Sequence, residues 1–155
     1  MAIRKPTGTN DFLPEEEQFW LKFQETARSV FGVYGYKSVE TPLMEQTDLF
    51  VRGIGQATDV VSKEMFTAIS GANLSTLLEG GKIRTKDKLS LRPEGTAGTV
   101  RAVVENSLTG NGQAPCKLMY AGPMFRAERP AAGRYRQFYQ VGIECLGSVL
   151  PSADA

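Results

Sequence analysis

Two stretches towards the end of the chain, Leu118 to Arg126 and Arg136 to Gly147, both read as β-strands. They bracket Ala127-Glu128-Arg129-Pro130-Ala131-Ala132-Gly133-Arg134-Tyr135. This pairing is the strongest constraint in the sequence. It predicts an antiparallel pair whose connection is longer than a tight hairpin needs and too arginine-rich for a spacer. Strand side chains alternate, so one face of the second strand takes Phe138, Gln140, Gly142, Glu144 and Leu146. The other takes Tyr139, Val141, Ile143 and Cys145, an ordinary core face. Met124, Arg126 and, if the strand continues, Glu128 share a face of the first strand. Should the two polar faces coincide, Arg126, Gln140 and Glu144 point into one pocket, with Gly142 leaving space where a ligand approaches the backbone. The competing reading is a wet sheet face whose charges pair across strands for tenths of a kcal/mol.

Composition narrows the chemistry. Eighteen basic residues against seventeen acidic leave the chain nearly neutral, so contact with RNA must be local. There is no histidine, which removes the commonest general base and the commonest zinc ligand together. Cys116 and Cys145 are widely spaced in apolar surroundings and read as buried thiols, not as a bridge or metal pair. Catalysis would rest on carboxylates, arginines and bound ions. No apolar stretch approaches a membrane span and Met1 to Thr9 lacks a signal-peptide core, which makes the cytoplasm the expected compartment.

The remainder reads as a single α+β unit. Pro14 followed by Glu15, Glu16 and Glu17 marks a helix start. Phe19, Trp20, Phe23, Ala27, Val30 and Phe31 then recur at helical spacing to about Gly32 or Gly35. Lys37 to Met44 is extended, with Pro42 suiting an edge or a strand end. Gly71 to Lys88 is Gly- and polar-rich and reads as a hairpin or mobile insertion. Leu89 to Pro93 is a short strand and Thr96 to Glu105 a helix. At the turn Leu91-Arg92-Pro93-Glu94-Gly95-Thr96, Glu94 and Thr96 either cap the helix or grip an ammonium group.

Together these segments resemble the ordered motifs of class II aminoacyl-tRNA synthetases. Gly35-Tyr36-Lys37-Ser38-Val39-Glu40-Thr41-Pro42-Leu43-Met44 is similar to motif 1, which builds the dimer interface in that family. Gly122-Pro123-Met124-Phe125-Arg126-Ala127-Glu128-Arg129-Pro130, closing with Gly133-Arg134-Tyr135-Arg136-Gln137-Phe138, resembles motif 2. The turn at 91–96 and Gly142-Ile143-Glu144 resemble the histidyl subfamily, as do Gly8-Thr9-Asn10-Asp11-Phe12-Leu13-Pro14 and Glu45-Gln46-Thr47-Asp48-Leu49-Phe50. Ala127 and Tyr139 stand where many bacterial members carry histidine, and the segment around Gly71 to Lys86 is longer than is common.

The resemblance implies an antiparallel class II sheet flanked by helices, incomplete over residues 1–155, with motif 3 and the anticodon-binding domain absent. It implies that histidine and ATP, with Mg2+ bridging the phosphates, form histidyl-adenylate, and that the histidyl group then passes to tRNA. By position, Arg126 matches the arginine bridging the amino-acid carboxylate and the α-phosphate, and so the catalytic residue. Glu128 matches the residue at the adenine amino group, Arg134 the one at the terminal phosphate and Phe138 the adenine platform. Glu94, Thr96 and Gln140 match the set holding the α-ammonium, with Arg126 at the carboxylate and Glu144 facing the imidazole. Arg129 reads either as a tRNA acceptor contact or as a solvated loop charge. No metal ligand is assigned in the chain. The partners implied are histidine, ATP, histidine tRNA and, in the full-length protein, a second copy. The expected form is a truncated chain or proteolytic fragment with little or no activity alone. The alternatives are a histidine-sensing regulatory subunit of ATP phosphoribosyltransferase type and a synthetase-like RNA-sensing domain of a kinase. The intact set Arg126, Glu128, Arg134 and Phe138 favours the enzyme.

Overall fold

A computed structural model describes residues 2–55, 57–109 and 115–148. The end of the chain from Ser152 to Ala155, on which the reading of a truncated form rested, lies outside the described residues. The fold is α+β. Helix α1 spans Pro14–Val33, α2 Thr47–Ile54, α3 Gly71–Leu78 and α4 Thr96–Glu105. The strands are β1 Lys37–Ser38, β2 Met44–Gln46, β3 Thr67–Ala68, β4 Leu89–Leu91, β5 Cys116–Phe125 and β6 Gln137–Leu146. They form two three-stranded sheets, β1-β5-β6 and β2-β4-β3. All pairs are antiparallel except β1 with β5, which run parallel.

Local chemistry explains the helix boundaries. Pro14 opens α1 where a missing N–H is harmless, and the Leu13 N–H donates to Glu16 Oε2 at 3.4 Å. The apolar set foreseen for α1 splits into two. Trp20, Ala27 and Phe31 turn inward, and the Trp20 ring meets Tyr139 on β6 at 4.9 Å between centroids. Phe19, Phe23 and Val30 lie on the exposed side. The expected core face of β6 is correspondingly uneven, since Tyr139 packs on Trp20 and Phe12 whereas Ile143 is 40% exposed.

Gly71 to Lys88 is neither a hairpin nor a plain loop. It holds α3 and a single 3-10 turn at Thr85–Asp87. The Ser70 hydroxyl accepts the Asn73 N–H at 3.3 Å, so a local cap outweighs the glycine that suggested a turn. Both cysteines are free thiols, and they are half-buried, not fully buried as expected, because they lie near one end of the β5–β6 pair.

The core lies where α2 and α4 meet β5, around fully buried Phe50 and Met124 with Val103 and Met119. Through it runs one buried charge. Arg92 is 5% exposed and donates from Nε to the Pro123 carbonyl at 2.9 Å. Its Nη1 reaches the Thr41 carbonyl at 3.0 Å and the Thr41 hydroxyl at 3.2 Å. Its backbone continues the stitching, with its N–H donating to the Leu43 carbonyl and its carbonyl accepting the Phe125 N–H, both at 2.9 Å. One residue thus joins the end of β4, the segment before β2 and the end of β5. Burial pulls its pKa down from the ordinary value, and Glu40, Tyr120 and Glu45 oppose that shift.

Arg92→Met should cost about 2–4 kcal/mol, since each buried carbonyl left without a donor costs roughly 1–3 kcal/mol. Urea unfolding followed by circular dichroism checks this, and a loss below about 1 kcal/mol would contradict the assigned role.

Candidate active site

The β5–β6 register decides which side chains meet. Met124 lies opposite Phe138, Gly122 opposite Gln140, Tyr120 opposite Gly142 and Leu118 opposite Glu144. Cross-strand partners share a face, so the two polar faces coincide and Gln140, Gly142 and Glu144 lie in one row with Tyr120. Gly142 does not leave an unfilled space. A methyl group there, or at Gly95, would collide with the Tyr120 ring, which lies against both backbones. The glycine is needed for a close approach, but the group approaching is a side chain of the same chain.

At one end of the row are Arg126, Glu128 and Arg134, past the end of β5, and Phe138 near the start of β6. With Glu64, Gly133 and Tyr135 they line a cavity of about 460 Å³. Arg126 Nε donates to the Pro93 carbonyl at 3.1 Å, which holds the guanidinium. Its plane lies over the Phe138 ring at 5.2 Å, a cation–π contact. Glu128 stands between two cations, 3.9 Å from Arg126 Nη1 and 3.9 Å from Arg134 Nη1. Arg134 is largely exposed, so its side chain is free to swing towards an anion at the cavity mouth. Arg129 is exposed on the same connection, apart from this cavity's lining.

The base of the connection is braced from outside. The Gly8 carbonyl accepts the Arg136 N–H at 2.7 Å, and Arg136 Nε donates to the Glu128 carbonyl at 3.1 Å. Gly8 has φ +84, a left-handed value that disfavours side chains, and a Cβ there would lie 2.9 Å from both Pro130 and Arg136 side-chain carbons. Ala127 donates to the Glu64 carbonyl at 2.6 Å, which brings the helical turn Val60–Glu64 to the cavity wall.

Beside Tyr120 sit Glu94, Thr96 and Glu144. The Glu94 carboxylate accepts the Ala97 N–H at 3.0 Å and the Thr96 N–H, so it does cap α4. The Thr96 hydroxyl donates to Glu144 Oε1 at 2.7 Å, linking the helix start to β6. Gln140 Oε1 is buried and finds no hydrogen-bond partner among the described residues. An unmet buried acceptor costs roughly 1–3 kcal/mol, which a ligand donor would relieve. A larger, mostly apolar cavity of about 590 Å³ lies between α2 and α4 and is also lined by Glu94 and Thr96.

Sequence reasoning missed Tyr120, Arg92 and Glu64. Tyr120 could have been found by extending the alternation of β5 two residues beyond Gly122. Arg92 had one signal, a charge inside an otherwise apolar strand ahead of Pro93. Glu64 had none, since it arrives from a distant turn.

A guanidinium fixed over an aromatic ring thus adjoins a face of amide and carboxylate on an α+β domain. Residues 8–155 match the family model described as histidyl-tRNA synthetase. The chain is 51% identical over 99% of its length to a histidine–tRNA ligase of Nitrosomonas eutropha, and 48% identical over its whole length to that of Geobacillus thermodenitrificans. It covers 33% of each, so it spans about a third of the length of the relatives it matches. The apo histidyl-tRNA synthetase of S. aureus superposes with TM-score 0.72 at 36% identity, over 99% of this chain and 31% of that one. The chain belongs to the histidyl-tRNA synthetase family.

Tyr120 gives this site a pH signature. Burial raises its pKa above the ordinary 10.0; the Thr96 hydrogen bond opposes the shift, and the charges of Glu144 and Glu94 add to it. The unfolded chain therefore releases this proton first as pH climbs. The associated stability is fully present below about pH 10 and is lost as pH rises through the higher folded value. Urea midpoints measured from pH 9 upward should fall more steeply for the wild-type chain than for Tyr120→Phe; parallel curves would contradict this.

Proposed function

We propose that the chain forms the N-terminal portion of a class II catalytic domain whose whole protein is a histidine–tRNA ligase. The observation that carries this reading is the convergence of Arg126, Glu128, Arg134 and Phe138 on one cavity. Adenine would stack on Phe138 with Glu128 at its amino group, and Arg134 would meet the terminal phosphate. Magnesium would enter with ATP as part of the substrate, bridging its phosphates.

Histidine would lie further along the face. Its α-ammonium would face Glu94, Thr96 and Gln140, the last offering its unmet acceptor, and its imidazole would face Glu144. Arg126 would bridge the two substrates. A carboxylate oxygen of histidine attacks the α-phosphorus, the bond to the bridging oxygen breaks, and pyrophosphate leaves with the electron pair. A guanidinium held by the Pro93 carbonyl orients the nucleophile and stabilises charge gathering on the phosphoryl oxygens. The tRNA ribose hydroxyl then displaces AMP, with exposed Arg129 available to the acceptor end.

In the whole protein we place a second copy against the segment around Pro42, where Leu43 and Met44 are exposed apolar residues. Among the described residues no helix is long and apolar enough to cross a membrane. We place the reaction in the cytoplasm.

The test is ATP–pyrophosphate exchange with each amino acid in turn, on a chimera joining this chain to the remaining two-thirds of the Geobacillus thermodenitrificans relative. Exchange should respond to histidine alone, fall at least about 100-fold in Arg126→Ala, and be weak or absent for the chain by itself. Stimulation by another amino acid would overturn the reading, and silence with intact histidine binding would mark a regulatory histidine sensor instead.

A further inference from the structure

The connection between β5 and β6 is a hairpin with a defect, and Glu128 lies in the defect. Arg126 and Arg136 form the last rung of the pair, with the Arg126 N–H donating to the Arg136 carbonyl at 2.9 Å. A complete antiparallel rung would return the Arg136 N–H to the Arg126 carbonyl. That N–H instead donates to the Gly8 carbonyl at 2.7 Å, and the Gln137 N–H reaches the same oxygen at 3.3 Å. The two arms meet again at Ala131 and Arg134, which exchange backbone bonds of 3.1 and 2.9 Å around a turn at Ala132 and Gly133. Between these rungs four residues, Ala127 to Pro130, stand on the first arm against Tyr135 alone on the second. The surplus forms a bulge, whose backbone must find bonds outside the ladder. Arg136 supplies one. Its Nε donates to the Glu128 carbonyl at 3.1 Å, so its side chain spans the gap that its backbone left.

The turn that captures Arg136 is itself held. Thr9 donates to the Pro6 carbonyl from its N–H at 3.2 Å and from its hydroxyl at 2.8 Å. Gly8, at φ +84, is so close to both arms that a Cβ would lie 2.9 Å from Pro130 and Arg136 side-chain carbons. A few residues on, the Phe12 ring meets Tyr139 of β6 at 4.7 Å between centroids. We propose that Gly8 and Arg136 are positioning residues of the nucleotide subsite: the Gly8 carbonyl captures the Arg136 backbone, and the Arg136 side chain then holds the Glu128 backbone, so that the carboxylate meets the base in a set place. This rests on the assignment of Glu128 to the adenine amino group. Neither residue lines the cavity, and both act through the chain that carries Glu128. The Glu128 carboxylate stands 3.9 Å from each of two guanidiniums, too far for a hydrogen bond, so its place is set from the backbone.

The experiment has two readouts on the labelled chain, on Arg136→Met, which keeps the stem but loses the Nε donor, and on Gly8→Ala, which forces the turn away. NMR spectra show whether each variant is folded. The first readout needs no ligand. In the wild-type chain the Arg136 amide should exchange slowly with solvent, and in both variants heteronuclear NOE values at Glu128 and Arg129 should drop while those of Phe125 and Phe138 hold. The second is the ratio of dissociation constants for ATP and inosine triphosphate, which carries an oxygen in place of the amino group. The wild-type chain should prefer ATP by at least about tenfold. The preference should shrink to about threefold or less in either variant through weaker ATP binding, with inosine triphosphate unchanged. Gly8→Ala decides the matter if Arg136→Met does not fold. Rapid exchange of the wild-type Arg136 amide, or unchanged NOE values in the variants, would overturn the brace whatever the cavity binds. Undiminished preference, or equal weakening of both nucleotides, would overturn its part in recognition and leave the nucleotide subsite standing. A wild-type chain that binds the two nucleotides equally would overturn the assignment of Glu128, and the positioning role with it.

Discussion

The buried guanidinium of Arg92 is the interaction on which the rest of the architecture depends. Among the described residues the two sheets share no strand. Arg92 sits where they adjoin and bonds to Thr41 and Pro123 with its side chain and to Leu43 and Phe125 with its backbone. Even Gly122 answers to it, since a Cβ there would lie 2.6 Å from Arg92 Nη2. Burying a charge is expensive unless its donors are met, and here the acceptors are carbonyls that would otherwise be unmet themselves. The segment resembling motif 1 and the strand leading into motif 2 are therefore held by one side chain. The next residue, Pro93, uses its carbonyl to fix Arg126, so the same turn governs both the core and the centre of the site.

From that anchor the site is laid out along a single sheet face. The end at Arg134 is cationic and partly open, with Arg134 largely in solvent and Glu128 loosely shared between two arginines. The end at Glu144 is tighter, with Thr96 bonded to Glu144 and the Tyr120 ring filling the space above two glycines. Arg126 stands between the two ends. On the function proposed above, the tighter end would hold histidine and the open end ATP. The same face that unpaired polar groups would make costly becomes favourable once a ligand supplies their partners.

Much of this was legible in the sequence where local rules decide. The β5–β6 pair, the start of α1 at Pro14 and the helix from Thr96 to Glu105 follow from alternation, capping and period. The coincidence of the two polar faces followed once the pair was assigned, and the motif resemblance named residues that the fold brings together. What escaped were consequences of tertiary packing. Helical period marked Phe19, Phe23 and Val30 as apolar but could not say that only the Trp20, Ala27 and Phe31 side meets the sheet. Glycine content pointed to a loop at Gly71, where a serine cap makes a helix. Gly142 signalled a close approach, and only the register with Tyr120 showed which group approaches.

On the proposed function, one sheet face holds two adjacent subsites, one for nucleotide and one for histidine. Backbone and methyl NMR of the labelled chain, titrated separately with ATP and with L-histidine, addresses it most directly. ATP should move signals of Arg126, Glu128, Arg134 and Phe138, and histidine those of Thr96, Gln140 and Glu144, with Arg126 responding to both. Shifts confined for both ligands to the apolar cavity between α2 and α4, or no saturable shift on the β5–β6 face, would contradict the account.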